Sequence, residues 1–182
     1  MLCQNMCVTT ARLTLVPLGV RFLDSFCAYA LRPDNAALMV YLPKRDREEA
    51  AAYLREAEAQ WQMPDPGYYD FAVLRDGEHI GSVTMYFEGD YTRGELGWII
   101  RRDCWGRGYA FEAAQGLMKR FASETGLTRF IAHCDSKNAA SRRVMEKLGM
   151  TYVETHGGRY NRMSRGERTE DLYEIMLDGG SK

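Results

Sequence analysis

The sequence lacks several features that mark whole classes of protein. Its 182 residues contain 24 Lys and Arg against 25 Asp and Glu, a net charge of −1, which excludes a generally basic protein wrapped around nucleic acid. No apolar run reaches the ~18 residues that a membrane-spanning helix needs. The first ten residues show no basic segment followed by an apolar one, so no secretory signal is predicted. These absences predict a soluble, cytoplasmic protein without stable nucleic-acid or membrane binding.

The cysteines are few and unevenly placed. They are Cys3, Cys7, Cys27, Cys104 and Cys134. An odd, scattered set favours reduced thiols over a disulfide framework. Cys3 and Cys7 could suggest a metal pair, but no second Cys or His pair matches their spacing, so we predict no metal site.

Length and periodicity predict one α/β domain with a mixed sheet. Seven segments alternate apolar and polar residues as strands do: 12–18, 69–74, 80–87, 95–100, 130–134, 152–155 and 172–177. Four segments show helical spacing: 20–31, 46–61, 107–125 and 139–148. Asp46 is placed to cap the second helix, and Asp76-Gly77 predicts a hairpin turn. We expect an N-terminal tail at 1–10, one domain at 11–178 and a C-terminal tail at 179–182.

The most informative segment is the turn Trp105-Gly106-Arg107-Gly108-Tyr109-Ala110. It follows a predicted strand and opens a predicted helix, where backbone N–H groups have no internal acceptor and the helix dipole is positive. Glycine allows an anion to approach the backbone closely. With Arg101, Arg102 and Arg107 adding positive charge, the turn predicts a phosphate site, most directly for a pyrophosphate.

Three other interpretations of this turn are weighed against that one. A dinucleotide-binding loop needs a third glycine, where Ala110 stands, and a preceding βαβ unit rather than a hairpin. A nucleotide P-loop needs a Gly-Lys-Ser/Thr ending, which is absent. A helix start that binds no ligand remains open on this segment alone.

The wider order of motifs resembles the GNAT acetyltransferase superfamily, and more narrowly its Rim-type branch of ribosomal-protein-alanine N-acetyltransferases. The motifs are Glu95-Leu96-Gly97-Trp98-Ile99-Ile100, the turn at 105–110, Asn138-Ala139-Ala140-Ser141-Arg142-Arg143-Val144 and Glu146-Lys147-Leu148-Gly149-Met150. The resemblance extends over about residues 12–177. It implies a central sheet of about six to seven strands, splayed at the cofactor site and flanked by about four helices, with acetyl-CoA as co-substrate.

The resemblance also implies which residues hold the cofactor. Backbone N–H groups at 107–110 would bind the pyrophosphate of acetyl-CoA, and the pantetheine arm would lie along the strand ending at 98–100. The implied cofactor-binding residues are Trp98, Ile99, Ile100, Arg102, Arg107, Gly108, Tyr109, Ala110, Asn138 and Ser141.

Glu95 and Ser141 are the candidate catalytic residues. The thioester is already activated, so acetyl would pass directly to a neutral amine. Deprotonating an amine at pH 7 costs roughly 4–5 kcal/mol for lysine and about 1.4 kcal/mol for an α-amine. Glu95 would be the base, or would only orient substrate or pair with an arginine. Ser141 would bond the leaving sulfur, or only the helix backbone. Many members of the superfamily use a Tyr as the general acid at the position where this chain has Glu146. The resemblance therefore does not supply a Tyr acid at that position.

The acceptor implied by the resemblance is a primary amine, at a protein N-terminus or similar. Two alternatives stay open: an acetyltransferase for a small-molecule amine, and a non-catalytic module that binds acyl-CoA. A homodimer is also left open.

We expect His133 to pack on the sheet, and Trp98 and Tyr86 to line the acceptor pocket or the core. Four arginines are expected in a solvated loop at 157–171, or else to hold an acidic acceptor or ribosomal RNA: Arg159, Arg162, Arg165 and Arg168.

Overall fold

The computed structural model describes residues 6–88 and 92–177. Its strands are β1 Val8–Thr9, β2 Thr14–Pro17, β3 Tyr68–Arg75, β4 Glu78–Glu88, β5 Arg93–Ile100, β6 Arg129–Asp135, β7 Thr151–Arg159 and β8 Arg168–Met176. Its helices are α1 Leu23–Ala30, α2 Pro33–Ala36, α3 Arg47–Gln60, α4 Tyr109–Thr125 and α5 Ala139–Lys147, besides two short 3-10 turns. In this part of the chain the strands form one mixed sheet, in the order β1-β2-β3-β4-β5-β6-β8-β7.

Local sequence signals explain where several elements begin and turn. Asp46 caps α3, accepting a hydrogen bond from the Glu49 backbone N–H at 2.8 Å. Asp76 and Gly77 both have positive φ, 50° and 81°, which suits the tight hairpin between β3 and β4. Gly126 ends α4 with φ 75°. All three features follow from the residues next to them.

Strand alternation divides the core between the two faces of the sheet. Phe71 and Leu96 belong to the larger buried cluster, which includes Leu117 and Phe121 of α4. Ala72 and Ile99 point to the smaller cluster, which contains buried residues of α1 and α3. Helices therefore cover both faces, and the second face carries the cavity described below.

The sheet opens between β5 and β6. The two strands pair in parallel only at Gly94↔Phe130 and Glu95↔Ile131. A Cβ on Gly94 would lie 2.7 Å from the Met85 sulfur, so glycine allows the close packing at the pairing point. Beyond Glu95 the edge of β5 has no strand partner on that side among the described residues. The predicted mixed sheet with a splayed pair of strands is confirmed.

The structure differs from the sequence prediction in detail. The described part contains eight strands and five α-helices rather than six to seven and about four. The expected tail at 1–10 contributes β1, and Met6 and Val8 are buried there. β7 and β8 extend into the expected loop at 157–171 because they pair with each other. The expected C-terminal tail lies outside the described residues, and no described helix is long and apolar enough to cross a membrane.

Candidate active site

The turn before α4 exposes backbone donors. Gly106 and Gly108 have φ of 75° and 81°, in the left-handed region. The first hydrogen bond within α4 runs from the Glu112 N–H to the Gly108 carbonyl, at 3.0 Å. The N–H groups of residues 109–111 therefore have no acceptor inside the helix. The Trp105 ring N–H closes the turn against β5 by donating to the Ile100 carbonyl at 2.7 Å.

Arg12 holds this turn from the far end of the sequence. Its side chain donates to Glu112 at 2.7 Å and to the Arg107 carbonyl at 3.1 Å. Its guanidinium also lies 4.7 Å from the ring centre of Tyr109. Burial opposes ionisation of Glu112, yet hydrogen bonds from Thr10 and Arg12 keep the pKa of that carboxyl below its usual range. Arg12 thus neutralises an acid that would otherwise repel an anion at the helix start.

Of the three arginines that the sequence places around the turn, Arg107 is the one whose charge is not paired with a carboxylate of the described residues. Arg101 forms ion pairs with Asp103 at 2.6 Å and Glu78 at 2.7 Å. Arg102 forms an ion pair with Asp34 at 3.2 Å. Arg107 is exposed and has no carboxylate within 4 Å among the described residues. The sequence predicts all three as positive charges beside an anion, whereas in the structure two of them fasten the surrounding loops.

A cavity of about 890 Å³ lies on the face of the sheet that α1 and α3 cover. Strands β3 to β6, α3, the segment 39–44 and the β7–β8 hairpin supply its walls. Its lining includes Phe26, Tyr41, Lys44, Tyr53, Glu56, Tyr68, Thr84, Tyr86, Glu95, Gly97, Trp98, Ile99, His133, Arg159, Tyr160 and Glu170. The cavity is therefore largely aromatic, with a few charged groups, which is the composition of a small-molecule site.

Glu95 and His133 form the polar pair of this cavity. His133 Nδ1 lies 2.9 Å from Glu95 Oε1, and the side chains are 20% and 27% exposed. The pairing of Glu95 with Ile131 places Glu95 and His133 on the same face of neighbouring strands. A hydrogen-bonded carboxylate and imidazole can accept and pass on a proton. The sequence pattern assigned His133 to sheet packing, because the parallel register that brings it to Glu95 is not visible in one strand.

Asp70 of β3 lies behind two side chains that line the cavity, Tyr53 and Thr84. It is fully buried, and it accepts hydrogen bonds from the Tyr53 hydroxyl at 2.5 Å and the Thr84 hydroxyl at 2.8 Å. Burial raises the pKa of Asp70 to about 6. No sequence signal singles out Asp70, whose hydrogen bonds hold two side chains of the cavity wall in place.

Asn138 and Ser141 begin α5, on the β6 side of the opening. The Asn138 side-chain oxygen accepts from the Ser141 backbone N–H at 3.1 Å and so caps the helix. The Ser141 hydroxyl makes no hydrogen bond within the described parts of the chain. The alternative in which this hydroxyl bonds the helix backbone is therefore not the arrangement observed.

The arginines of the β7–β8 region are bound into the fold. Arg159 forms an ion pair with Glu170, and Arg168 with Asp135. Arg162 forms an ion pair with Glu49 at 2.7 Å. Asp135 is 1% exposed, and its charge depends on the contact with Arg168. Burial opposes the ionisation of this carboxyl, but hydrogen bonds from Arg168 keep its pKa at about 2. The expectation of a solvated loop is wrong for Arg159 and Arg168, which are partly buried in their ion pairs, whereas Arg162 and Arg165 are exposed.

Three side chains here have the chemistry of metal ligands. Ligand atoms of His133, His156 and Glu170 lie within 4.8 Å of one another. Glu170 is already paired with Arg159, and His133 with Glu95. A cation at this place would have to displace the arginine.

Comparisons with known proteins identify the family to which the chain is similar. A family model described as an acetyltransferase (GNAT) domain matches residues 12–151. The uncharacterised N-acetyltransferase YnaD of Bacillus subtilis is 32% identical over 147 residues, 79% of this chain and 81% of that protein. The FsC-acetyl coenzyme A-N(2)-transacetylase of Aspergillus fumigatus is 29% identical over 180 residues, 93% of this chain and 75% of that protein.

The fold is shared with solved structures as well. The ribosomal L7/L12 α-N-protein acetyltransferase RimL, solved in complex with coenzyme A, superposes with a TM-score of 0.83. The superposition covers 96% of this chain and 99% of that one, at 15% sequence identity. At that identity the likeness concerns the fold.

Proposed function

Because this chain belongs to the GNAT family of N-acetyltransferases, we propose that it moves the acetyl group of acetyl-CoA directly onto a primary amine at the opening between β5 and β6. The observation that carries the proposal is the separation of the two strands immediately after Glu95. The open edge of β5 then leads from the Glu95–His133 pair to the turn at 105–110.

Three parts of the chain would hold acetyl-CoA. Backbone N–H groups at 107–110 and the Arg107 guanidinium would bind the pyrophosphate. The edge of β5 at Trp98, Ile99 and Ile100 would accept the pantetheine arm as an added strand. The Ile100 carbonyl already accepts from Trp105, which leaves the other backbone groups of that edge to do this. Asn138 and Ser141 would face the arm from α5.

The Glu95–His133 pair would prepare the amine. Glu95 takes a proton from the acceptor, directly or through water, while His133 holds the carboxylate at 2.9 Å. The neutral nitrogen attacks the thioester carbon, the new C–N bond forms, and the C–S bond breaks. A backbone N–H near Ile99 would polarise the carbonyl, and the Ser141 hydroxyl would donate to the leaving sulfur. Glu95 would lower the barrier by less for an α-amine than for a lysine amine, because deprotonating an α-amine at pH 7 costs only about 1.4 kcal/mol.

Two classes of acceptor fit this chemistry. A protein N-terminal amine is the Rim-type acceptor that the sequence predicts. One observation favours a small-molecule amine: the β7–β8 hairpin is tied to the segment 38–43 across the cavity rim. Arg159 donates to the Leu38 carbonyl at 3.1 Å, the Arg162 N–H to the Val40 carbonyl at 3.2 Å and the Arg162 guanidinium to the Pro43 carbonyl at 3.2 Å. This bridge limits the width of an entering chain.

Release of free CoA in the presence of amines tests the proposal. The panel contains peptide N-termini and small amines, and Glu95→Gln is compared with Glu146→Gln on the exposed side of α5. We expect Glu95→Gln to lower turnover about a hundredfold or more and to change the pH–rate profile, with CoA affinity unchanged. Glu146→Gln should behave as the wild type. CoA binding without turnover across the panel would instead indicate a binding module, and an unaltered profile would remove Glu95 from the base role.

A further inference from the structure

Lys44 lies half-buried in the cavity wall without an ionic partner. Its ammonium is 4.4 Å from the ring centre of Tyr53, and no carboxylate in the described parts of the chain lies within 4 Å of it. Burial lowers the pKa of this lysine below its usual 10.5. A cation taken partly out of water without a counter-ion is costly, unless a ligand supplies the opposite charge.

The acids around Lys44 do not supply that charge directly. Glu49 is held by Arg45 at 3.2 Å and Arg162 at 2.7 Å. Asp70 is buried beneath Tyr53 and Thr84, with its pKa raised to about 6. Glu56 lines the same cavity but is exposed to solvent. The ring of Tyr53 stabilises the ammonium on one side only and leaves its hydrogen-bond donors toward the cavity.

Lys44 and Glu95 belong to different walls of the cavity. Tyr53, beneath Lys44, bonds Asp70 on β3, whereas Glu95 is on β5. The register Asp70↔Thr84↔Gly97 puts Glu95 two strands across and two residues along from Asp70. Ordinary strand spacings then separate the Cα atoms of Asp70 and Glu95 by on the order of 10 Å, and the Lys44 ammonium lies on the Asp70 side of this span, over the ring of Tyr53.

We propose that the acceptor of this enzyme carries a carboxylate roughly 10 Å from its reacting amine, and that Lys44 binds this carboxylate. The inference rests on the proposed function, since it assigns the amine to Glu95 and His133. The phosphates of CoA are not this anion, because their turn lies beyond the other end of β5. A monoanionic carboxylate suits one ammonium better than a dianionic phosphate does, because Glu56 and Glu170 line the same cavity.

A carboxylate at this distance has two sources. It can be the end group of a small, amino-acid-like molecule, or an acidic side chain near the N-terminus of a peptide. A tripeptide spans about 10 Å when extended, so triglycine and its neutral partner triglycinamide probe the first source. The pair Gly-Gly-Asp-Gly-amide and Gly-Gly-Asn-Gly-amide probes the second.

Calorimetric binding to the CoA-saturated protein tests the inference. We expect the carboxylate form of at least one pair to bind about tenfold more tightly than its neutral partner. Lys44→Met, which keeps the apolar stem, should abolish that preference. The control Lys119→Met, on the exposed side of α4, should retain it. A lysine that served only to stabilise Tyr53 and Asp70 would change the melting temperature but not the preference.

Two outcomes overturn the inference: wild-type protein that shows no preference in either pair, and Lys44→Met protein that keeps one. The proposed function fails separately. Carboxylate preference without any acetyl transfer would contradict the proposed function, whereas acetyl transfer without preference would contradict the role of Lys44.

Discussion

The left-handed backbone at Gly108 is the local feature on which CoA binding should depend most directly. Its φ is 81°, and a Cβ added there would lie 3.6 Å from an Arg12 side-chain nitrogen, which is ordinary contact. Gly108→Ala therefore introduces no clash and keeps the N–H donor. What it introduces is the strain of an L-residue in the left-handed region, about 1–2 kcal/mol.

This strain should appear in binding as well as in stability. The free turn can relax away from the left-handed conformation, and CoA must then restore it to reach the N–H groups at 107–110. We expect CoA affinity to fall by about 5- to 30-fold, which is the same 1–2 kcal/mol expressed as a ratio. Calorimetric titration with CoA measures this loss. Only the part of the strain that the free turn retains lowers the melting temperature, by about 2–4 °C per kcal/mol.

Gly126 provides a matched control at the other end of α4. Its φ is 75°, and a Cβ there would meet no atom within 4 Å. Gly126→Ala should therefore lose a similar amount of stability and bind CoA as the wild type does. The reasoning is refuted if Gly108→Ala loses stability like the control while its CoA affinity stays unchanged.

Two further predictions concern buried carboxyls whose pKa values shift in opposite directions. Burial raises the pKa of Asp70 to about 6, so its contribution to stability is complete below its unfolded value of 3.8 and is lost as pH rises through 6. Asp70→Asn should gain on the order of 3 kcal/mol relative to wild type between pH 4 and 7 in urea unfolding; a pH-independent difference would contradict this. Asp135, with a pKa of about 2, contributes stability above 3.8 that is lost as pH falls through 2. Asp135→Asn should have a clearly lower free energy of unfolding than wild type at pH 7, and the difference between the two proteins should be smaller at pH 3. Equal differences at both pH values would count against the Arg168 contact.

Local sequence signals were enough for much of the fold. The cap at Asp46, the hairpin at Asp76-Gly77 and the glycine turn before α4 each depend on a few adjacent residues. The resemblance implied a sheet splayed along the strand that ends at 98–100, and in the structure β5 and β6 separate beyond Glu95. The expected tail failed as a prediction because two residues, Val8 and Thr9, are too short a strand for any periodicity to reveal; pairing with β2 creates it.

The sequence by itself determined where most of the strands and helices form and where the backbone turns to offer N–H donors, because those preferences are set by neighbouring residues. Only the tertiary structure decided which side chains meet. Glu95 and His133 are 38 residues apart, and Arg12 reaches Glu112 across 100. Such contacts follow from strand order and register, where a shift of one residue would turn every side chain to the opposite face. Lys44 is also placed by distant contacts: its backbone N–H donates to the Ala30 carbonyl of α1 at 2.7 Å, and its ammonium lies over the ring of Tyr53 on α3.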